Sequence, residues 1–312
     1  MREFQVTKND ADQRVDRFLQ KAVPALPGGL MQKYIRLKRV KVNGKRTDRA
    51  YRLAEGDVIS LYINDEFFDT PAKKEPFQAI TQPQVTICYE DTHILIANKP
   101  PGMLSHSADK PEDITLIDHI KAHLYQTGQW NPTEEHSFTP ALCNRLDRNT
   151  GGLVIAAKTA TALKTINEKI KSHEVDKYYI LAVHGTPNPP AGVAAGYYAK
   201  NSAKNQMHAV PPGTPGAKHA ITEYKTLKST TNRSLVECKL ITGRTHQIRV
   251  QMATLGHPLL GDKKYGPSGD NFPHQALWAY RITFRFTSNA GALAYLNGKT
   301  IQTKDIPFTA EI

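Results

Sequence analysis

The chain has 312 residues, 39% of them hydrophobic, which is enough for a buried core and excludes a disordered chain. It carries 41 Lys and Arg against 29 Asp and Glu, a formal net charge of +12, which favours a polyanionic partner such as nucleic acid over a neutral small molecule. No apolar window approaches the roughly 18 residues of a membrane span, and the apolar segment of a secretory signal is missing. The three cysteines are dispersed, which fits reduced thiols. We therefore expect a cytoplasmic protein that does not contact membranes.

The first 63 residues form a basic segment, with 14 Lys and Arg against 7 Asp and Glu. Apolar residues at i, i+3, i+4, i+7 and i+8 from Val15 predict a short helix that ends before Pro24. A second helix is predicted from Leu30 to about Lys38. An alternating strand at 40–42 then leads to Asn43-Gly44, the strongest short hairpin signal.

Nine Lys and Arg and one acid, Asp48, fall between residues 33 and 52. Because they run from a helix face through a strand and over a tight turn, they can form a compact phosphate-binding patch; the alternative is an ordinary solvated face. The candidates for RNA binding are Lys33, Arg36, Lys38, Arg39, Lys41, Lys45 and Arg46. A polar, proline-containing stretch follows and is typical of a linker. We therefore predict an RNA-binding domain at 1–66, a linker at 67–84 and a larger domain at 85–312.

The larger region mixes short β-type runs with few helices, which predicts an α+β architecture. The predicted elements are strands at 92–98, 152–157, 178–183 and 234–241 and a helix at 160–172. The segment 187–216 is rich in Pro, Gly and Ala and is predicted to make a long surface excursion. The motifs GxGxxG, GxxxxGK[ST] and HExxH do not occur, so the usual dinucleotide, nucleotide and zinc-protease interpretations have no support.

Three segments contain candidates for chemistry. Asp147 lies between Arg145 and Arg148, just before a glycine pair and a buried strand. Two flanking cations favour the ionised carboxylate, which suits a nucleophile or an electrostatic stabiliser; the alternative is a surface ion pair that caps a turn. The second segment, Lys177 to Tyr179, places aromatic faces beside a cation. The third, 243–266, is a dense polar run that follows a strand and is typical of the wall of a site.

In chain order, the motifs RLDxxTxGL, KxY, GRTHQIR and GxPxxGDxxYG resemble those of the RluA-type family of RNA pseudouridine synthases. The stretches NKPPG at 98–102 and GAKHAIT at 216–222 extend the resemblance over most of residues 85–290. RVDRFL at 14–19 and RVKVNG at 39–44 are similar to the S-four-like (alpha-L) RNA-binding domain that often precedes this catalytic domain. The resemblance implies a catalytic domain built on a mixed, largely antiparallel sheet, preceded by a small α/β RNA-binding domain.

The resemblance also implies roles for individual residues. It makes Asp147 the catalytic aspartate, Tyr179 the aromatic residue that packs on the target base, and Arg249 the cation that pairs with Asp147. Arg145 is expected to hold the RNA open once the uridine has flipped, and the Tyr179 phenol to help remove the proton from carbon 5. The other substrate-binding candidates are Arg148, Lys177, Arg244, His246 and Gln247.

The implied activity is the isomerisation of uridine to pseudouridine in structured RNA, after the base leaves its stack. Large-subunit (23S) ribosomal RNA is the first expectation, because the S-four-like domain usually accompanies its modification in this family. The reaction involves no redox change and no external group, so we expect no cofactor and no metal. No obligate protein partner is implied, and we expect a monomer. Two alternatives are a transfer RNA pseudouridine synthase and a non-catalytic, ribosome-associated RNA-binding protein. A third, a nucleoside or glycoside hydrolase, would need a second acid, for which Asp262 and Glu174 are the nearest candidates.

Overall fold

The structure, a computed structural model, describes residues 1–68, 75–107 and 113–312. Its N-terminal part has these elements: β1 (Arg2–Gln5), α1 (Val15–Ala22), α2 (Gly28–Arg36), β2 (Val40–Val42), β3 (Lys45–Arg46) and β4 (Val58–Leu61). The strands pair antiparallel in the order β1-β4-β2-β3. Both helices and the sheet contribute side chains to one apolar core.

The predicted first helix and the predicted hairpin are confirmed. α1 begins at Val15 and ends at Ala22. Asn43 and Gly44 have φ angles of 50° and 73°, the conformation that a two-residue turn between antiparallel strands requires. The turn therefore brings the cations of β2 and β3 next to one another.

The second helix starts and ends earlier than predicted. It spans Gly28–Arg36 rather than Leu30 to Lys38. Pro27 precedes it with a φ of −58°, which its ring fixes near the helical value, and the carbonyl of Pro27 accepts the Met31 N–H at 2.9 Å. Lys38 has a φ of 62° and cannot continue the helix.

The larger part contains, in chain order, β5 (Thr86–Glu90), β6 (Ile94–Lys99), α3 (Leu116–Gln126), β7 (Ala141–Leu142), β8 (Gly151–Ala157), α4 (Ala160–Lys171), β9 (Val175–His184), β10 (Ala191–Asn201), β11 (Gln206–Val210), β12 (Lys218–Ser229), β13 (Arg233–Leu240), α5 (Gln247–Thr254), β14 (Leu277–Phe284) and β15 (Thr300–Gln302). Within the described residues these strands form one sheet in the order β11-β10-β12-β13-β9-β14-β8-β6-β5, with β15 beside β14 and β7 beside β8. In the described chain, only β8 and β14 pair in parallel. The prediction of a mixed, largely antiparallel sheet is confirmed.

Alternate residues of the central strands are buried on opposite faces of the sheet. On β9, Tyr179 and Leu181 join the apolar cluster that also contains residues of α3 and α5. Ile180 and Ala182 point the other way, into a cluster that includes Phe308 near the C-terminus. Because side chains alternate along a strand, Tyr179 lies on the face of the sheet that α5 covers.

The prediction of a surface excursion at 187–216 is wrong for most of that segment, because β10 and β11 occupy Ala191–Asn201 and Gln206–Val210. β10 pairs with β12 on one side and with β11 on the other. Low strand propensity at Ala and Gly is overcome by this pairing. Small residues are also needed here, since a Cβ on Gly192 would lie 3.0 Å from the Tyr224 hydroxyl.

The division into 1–66, 67–84 and 85–312 remains a prediction, and residues 69–74 of the predicted linker lie outside the described residues. Phe67 packs partly buried on the N-terminal core. Phe77 and Ile80 are buried in the core of the larger part. The apolar side chains at both ends of the predicted linker therefore belong to folded parts of the protein, although its composition is polar.

The two parts also contact each other through hydrogen bonds. Ser137 Oγ donates to Asp10 Oδ1 at 2.5 Å, and Lys164 Nζ donates to Asp12 Oδ2 at 2.9 Å. The lysine lowers the pKa of the Asp12 carboxyl. These bonds hold the segment between β1 and α1 against the start of α4 and the segment before β7.

Gly152 on β8 pairs with Ala279 on β14. It has a φ of 117°, and a Cβ built there would lie 2.2 Å from the Ala279 carbonyl oxygen. We expect Gly152→Ala to lower the free energy of unfolding by about 3 kcal/mol or more, because the strands must separate. Gly128→Ala is the matched control: its φ is 67° and the space around it is open, so about 1 kcal/mol is expected. Urea unfolding measures both, and equal losses would contradict the prediction.

Candidate active site

Asp147 lies on the loop between β7 and β8, and hydrogen bonds fix residues on either side of it. Ser105 Oγ donates to the Leu146 carbonyl at 2.9 Å and accepts the Leu146 N–H at 3.1 Å. Leu146 is itself buried in the core. Gln275 Nε2 donates to Thr150 Oγ1 at 3.1 Å. These bonds therefore fix the loop that carries the Asp147 carboxylate.

Lys99, at the end of β6, ties this loop to the loop that follows β6. Its side chain is fully buried, and its Nζ donates to the carbonyls of Pro100 (3.0 Å), Met103 (2.8 Å) and Arg148 (3.0 Å). Burial lowers the pKa of Lys99 to about 8, against the opposing effect of the nearby Asp147. The three carbonyl acceptors favour the ammonium form.

Arg249, on α5, binds two carboxylates at once. Its Nε and Nη2 donate to Asp262 Oδ2 at 2.7 Å and Oδ1 at 2.8 Å, and its Nη1 donates to Asp147 Oδ2 at 3.1 Å. Burial disfavours the guanidinium charge, but Asp262 and Asp147 raise the pKa of Arg249 above its usual value. Asp147 Oδ1 makes no hydrogen bond with any residue the structure describes, and the Asp147 side chain is 25% exposed.

A cavity of about 420 Å³ opens over Asp147, within the size range of small-molecule sites. Tyr179 lines it and is 6% exposed. Burial raises the pKa of Tyr179 well above its usual range, and the charge of Asp147 adds to this. The phenol therefore stays protonated at neutral pH, and both roles expected for Tyr179 stay predictions.

The two arginines beside Asp147 in the sequence are not its partners in space. Within the described ranges, neither Arg145 nor Arg148 forms an ion pair with it; its ion pair there is with Arg249, and His246 Nε2 lies 3.8 Å from its Oδ2. Arg145 lines the cavity. Arg148 instead donates from Nε to the Gly102 carbonyl at 3.0 Å. The ion-pair partner of Asp147 therefore comes from the 243–266 segment and not from its neighbours in the sequence.

Gln247 was predicted to bind substrate, but all its hydrogen-bonding capacity is used within the protein. Its Oε1 accepts from the Arg244 N–H and Thr242 Oγ1, and its Nε2 donates to the Ile221 carbonyl and Thr222 Oγ1. An amide offers two donors and two acceptors, so none is left for RNA. Gln247 is 4% exposed and fixes the turn that leads into α5.

Three other substrate-binding candidates line the cavity: Lys177, Arg244 and His246. Gln247 lines it as well, whereas Arg148 is not among the described residues that do. Lys177 is half-buried, and burial lowers its pKa. Arg244 is exposed and donates from Nε to the His219 carbonyl at 3.1 Å. His246 is half-buried, and burial lowers its pKa while Asp147 opposes this. These side chains place basic groups around the cavity that holds Asp147.

The basic patch of the N-terminal part forms a second concave surface, of about 510 Å³. Four of the seven predicted residues line it together with Arg49, namely Lys33, Arg36, Lys38 and Arg46. Arg39 and Lys41 instead lie over aromatic rings, 5.4 Å from Tyr34 and 5.0 Å from Tyr62. Lys45 is exposed on β3.

Sequence reasoning assigned no role to Lys99, Ser105 or Tyr265 and treated Asp262 only as a possible second acid. Lys99 falls inside the motif NKPPG, and Asp262 and Tyr265 fall inside GxPxxGDxxYG. Membership in these motifs is the sequence signal that could have identified them. Asp262 is fully buried and paired with Arg249, and Lys169 and Ser288 hold the pKa of Glu174 well below its usual range. Neither carboxyl can therefore serve as the acid that a hydrolase needs.

Two features are absent from the described residues. No helix there is long and apolar enough to cross a membrane. No group of three or more His, Cys, Asp or Glu side chains there could hold a metal ion.

Comparison with known proteins assigns both parts of the chain. Residues 93–254 match the RNA pseudouridylate synthase family, and residues 13–59 match the S4 domain family. An uncharacterized RNA pseudouridine synthase of Mycoplasma capricolum subsp. capricolum is 31% identical over 96% of this chain and 97% of that protein. The ribosomal large subunit pseudouridine synthase D of Zymomonas mobilis subsp. mobilis is 34% identical over 85% of this chain and 78% of that protein.

Solved structures agree on the fold. The human RNA Pseudouridylate Synthase Domain Containing 4 protein superposes with a TM-score of 0.56 at 23% identity, over 72% of this chain and 90% of that one. The chain belongs to the RNA pseudouridylate synthase family. It is an RNA pseudouridine synthase with an S4 domain ahead of its catalytic domain.

The Lys99 contacts predict a pH dependence. Below a pH of about 8 the ammonium has three N–H donors for three carbonyls; above it the neutral amine keeps two, so one carbonyl loses its donor and the Asp147 loop loosens. We expect the single-turnover rate to fall as the pH rises through this value.

In Lys99→Met this decline at high pH, the alkaline limb, should be absent and the rate low at every pH. Lys121→Met, which removes a lysine of α3 that pairs with Glu75, should keep the limb. Rates measured with enzyme in excess over RNA test this. An unchanged limb in Lys99→Met would assign the titration to another group.

Proposed function

We propose that this enzyme isomerises specific uridines of large-subunit ribosomal RNA, with Asp147 as its catalytic carboxylate. The observation that carries the proposal is that Asp147 is the only carboxylate among the described residues that line the cavity. A reaction that needs one carboxylate at an anomeric carbon fits this arrangement, and a hydrolysis that needs two does not.

The geometry divides the work between the two oxygens of Asp147. Oδ2 accepts a charge-assisted hydrogen bond from Arg249, which orients the carboxylate. Oδ1 is left for the substrate, whether it attacks the ribose, attacks the base or stabilises charge while the glycosidic bond breaks. In each case the uracil must detach, turn and rejoin the ribose through carbon 5.

Tyr179 supports the proposal as the surface on which the detached uracil is retained. Its ring lines the cavity beside Asp147, and aromatic rings stack well on bases. The uridine must leave the RNA stack to reach it, which costs a few kcal/mol. Arg145 and Arg244, both exposed at the cavity, can bind the phosphates next to the flipped nucleotide.

The choice of ribosomal RNA rests on the relatives and on the S4 domain. The relative in Zymomonas mobilis carries the name ribosomal large subunit pseudouridine synthase D. Carbodiimide mapping of pseudouridine in RNA from cells with and without the gene tests the target. Loss of a modification in 23S RNA is expected; loss only in transfer RNA would overturn the target, and no loss in any RNA would favour a non-catalytic RNA-binding protein.

Asp147→Asn should abolish pseudouridine formation and change RNA affinity by no more than a few-fold, because the amide keeps the shape but not the charge. Single-turnover assays and filter binding measure the two effects. Asp113→Asn, a carboxylate outside the cavity lining, is the control and should be fully active. Turnover near wild type in Asp147→Asn would remove the assignment.

The S4 patch is expected to bind phosphates of the RNA backbone. Replacing Lys33, Arg36 and Lys38 together by Gln should weaken RNA binding and reduce the slope of log affinity against log salt by roughly 0.7 to 0.9 for each phosphate that the patch no longer neutralises. Substitution is preferable to deletion, because the S4 part hydrogen-bonds to the catalytic part. The matched control replaces three exposed lysines elsewhere, Lys225, Lys228 and Lys304. Equal slopes in both variants would make the patch an ordinary solvated face.

A further inference from the structure

A chain of hydrogen bonds links the catalytic cavity to the hairpin formed by β10 and β11. The Met207 N–H on β11 donates to Tyr265 Oη at 2.8 Å. The same oxygen lies 2.8 Å from Nδ1 of His246. The other ring nitrogen of His246, Nε2, lies 3.8 Å from Asp147 Oδ2. One phenol therefore stands between a backbone amide and an imidazole that faces the carboxylate.

The direction of these bonds follows from the number of hydrogens. A backbone amide can only donate, so Tyr265 Oη accepts from Met207. If His246 Nδ1 also carried a hydrogen, it would donate to Oη and leave the phenol hydrogen without an acceptor among the described residues. All groups are satisfied when the phenol donates to Nδ1. The neutral imidazole then carries its hydrogen on Nε2, the atom that faces Asp147.

The surroundings of the imidazole are consistent with a neutral ring. The charged and titratable groups that act on it are Asp147, Arg249, Lys264, Asp262 and Tyr265. The two carboxylates stabilise a protonated ring, and the two cations and burial oppose it. A phenol that donates to Nδ1 stabilises the neutral form as well.

The hairpin and the segment that carries Tyr265 are fastened together at two further points. Gln206 Nε2 donates to the Lys264 carbonyl at 2.6 Å, and Lys264 Nζ donates to the Asn205 carbonyl at 2.8 Å. The Tyr265 ring lies 5.1 Å from the Arg249 guanidinium carbon. Tyr265 thus contacts, at once, the hairpin and both residues that face Asp147.

We propose that Tyr265 is a positioning residue: it fixes His246 as the tautomer with hydrogen on Nε2 and so presents an N–H donor to Asp147. This deepens the proposed function and depends on Asp147 being the catalytic carboxylate. The 3.8 Å separation between His246 Nε2 and Asp147 Oδ2 is longer than a hydrogen bond, and such contacts commonly shorten when substrate binds. The hairpin serves as the anchor of this arrangement.

Tyr265→Phe tests the proposal, since it removes the hydroxyl and keeps the ring beside Arg249. The tautomer is read from imidazole nitrogen shifts in protein labelled with ¹⁵N-histidine, with His246→Gln identifying the signal. In the wild type His246 should carry hydrogen on Nε2; in Tyr265→Phe both tautomers should appear, and the His246 titration should move to higher pH. The single-turnover rate should fall about tenfold, the effect of losing roughly one hydrogen bond, with RNA affinity within twofold.

Tyr198→Phe is the matched control, because Tyr198 belongs to the same small apolar cluster and has no bond to His246. It should leave the tautomer and the rate unchanged. An unchanged tautomer in Tyr265→Phe would overturn the proposal, even with Asp147→Asn inactive. If the wild-type enzyme formed no pseudouridine in any RNA, the proposed function would fail, while the tautomer measurement would still report on Tyr265.

Discussion

The buried guanidinium of Arg249 is the interaction on which the site depends. It holds Asp262 with two hydrogen bonds and Asp147 with a third, and Asp262 also accepts the N–H groups of Lys264 and Tyr265. Three separate segments, α5, the 261–266 turn and the Asp147 loop, therefore meet at one cation. Removal of a buried charge partner typically costs about 3–5 kcal/mol, so these segments cannot rearrange independently.

The sheet supplies the rigid support for this cluster. Tyr179 projects from β9, whose neighbours β13 and β14 are paired along most of its length. The Asp147 loop leads directly into β8, which is buried throughout. Lys99 and Ser105 then join that loop to the chain after β6. The candidate catalytic side chains lie on different elements and are held in a fixed geometry because each element is buried. Such geometry is what a pre-organised site requires.

Much of the fold and the site could be predicted because the determinants are local. The helix at Val15 and the turn at Asn43-Gly44 follow from spacing and turn preference, and the central strands follow from continuous apolar runs. β10 could not be predicted, because its Ala and Gly residues form a strand only when β11 and β12 lie beside it. Composition likewise does not report that Phe77, inside the predicted linker, is buried in the core of the larger part.

The sequence alone determined the family, the basic S4 patch and the candidates Asp147, Tyr179 and Arg249, since motifs and charge runs are written in chain order. The tertiary structure decided which charges meet. Arg145 and Arg148 adjoin Asp147 in the chain but do not pair with it, whereas Arg249 and His246 reach it from about a hundred residues away. It also showed that Gln247 is fully bonded within the protein. Hydrogen bonds and ion pairs depend on distances in space, and only the folded chain fixes these.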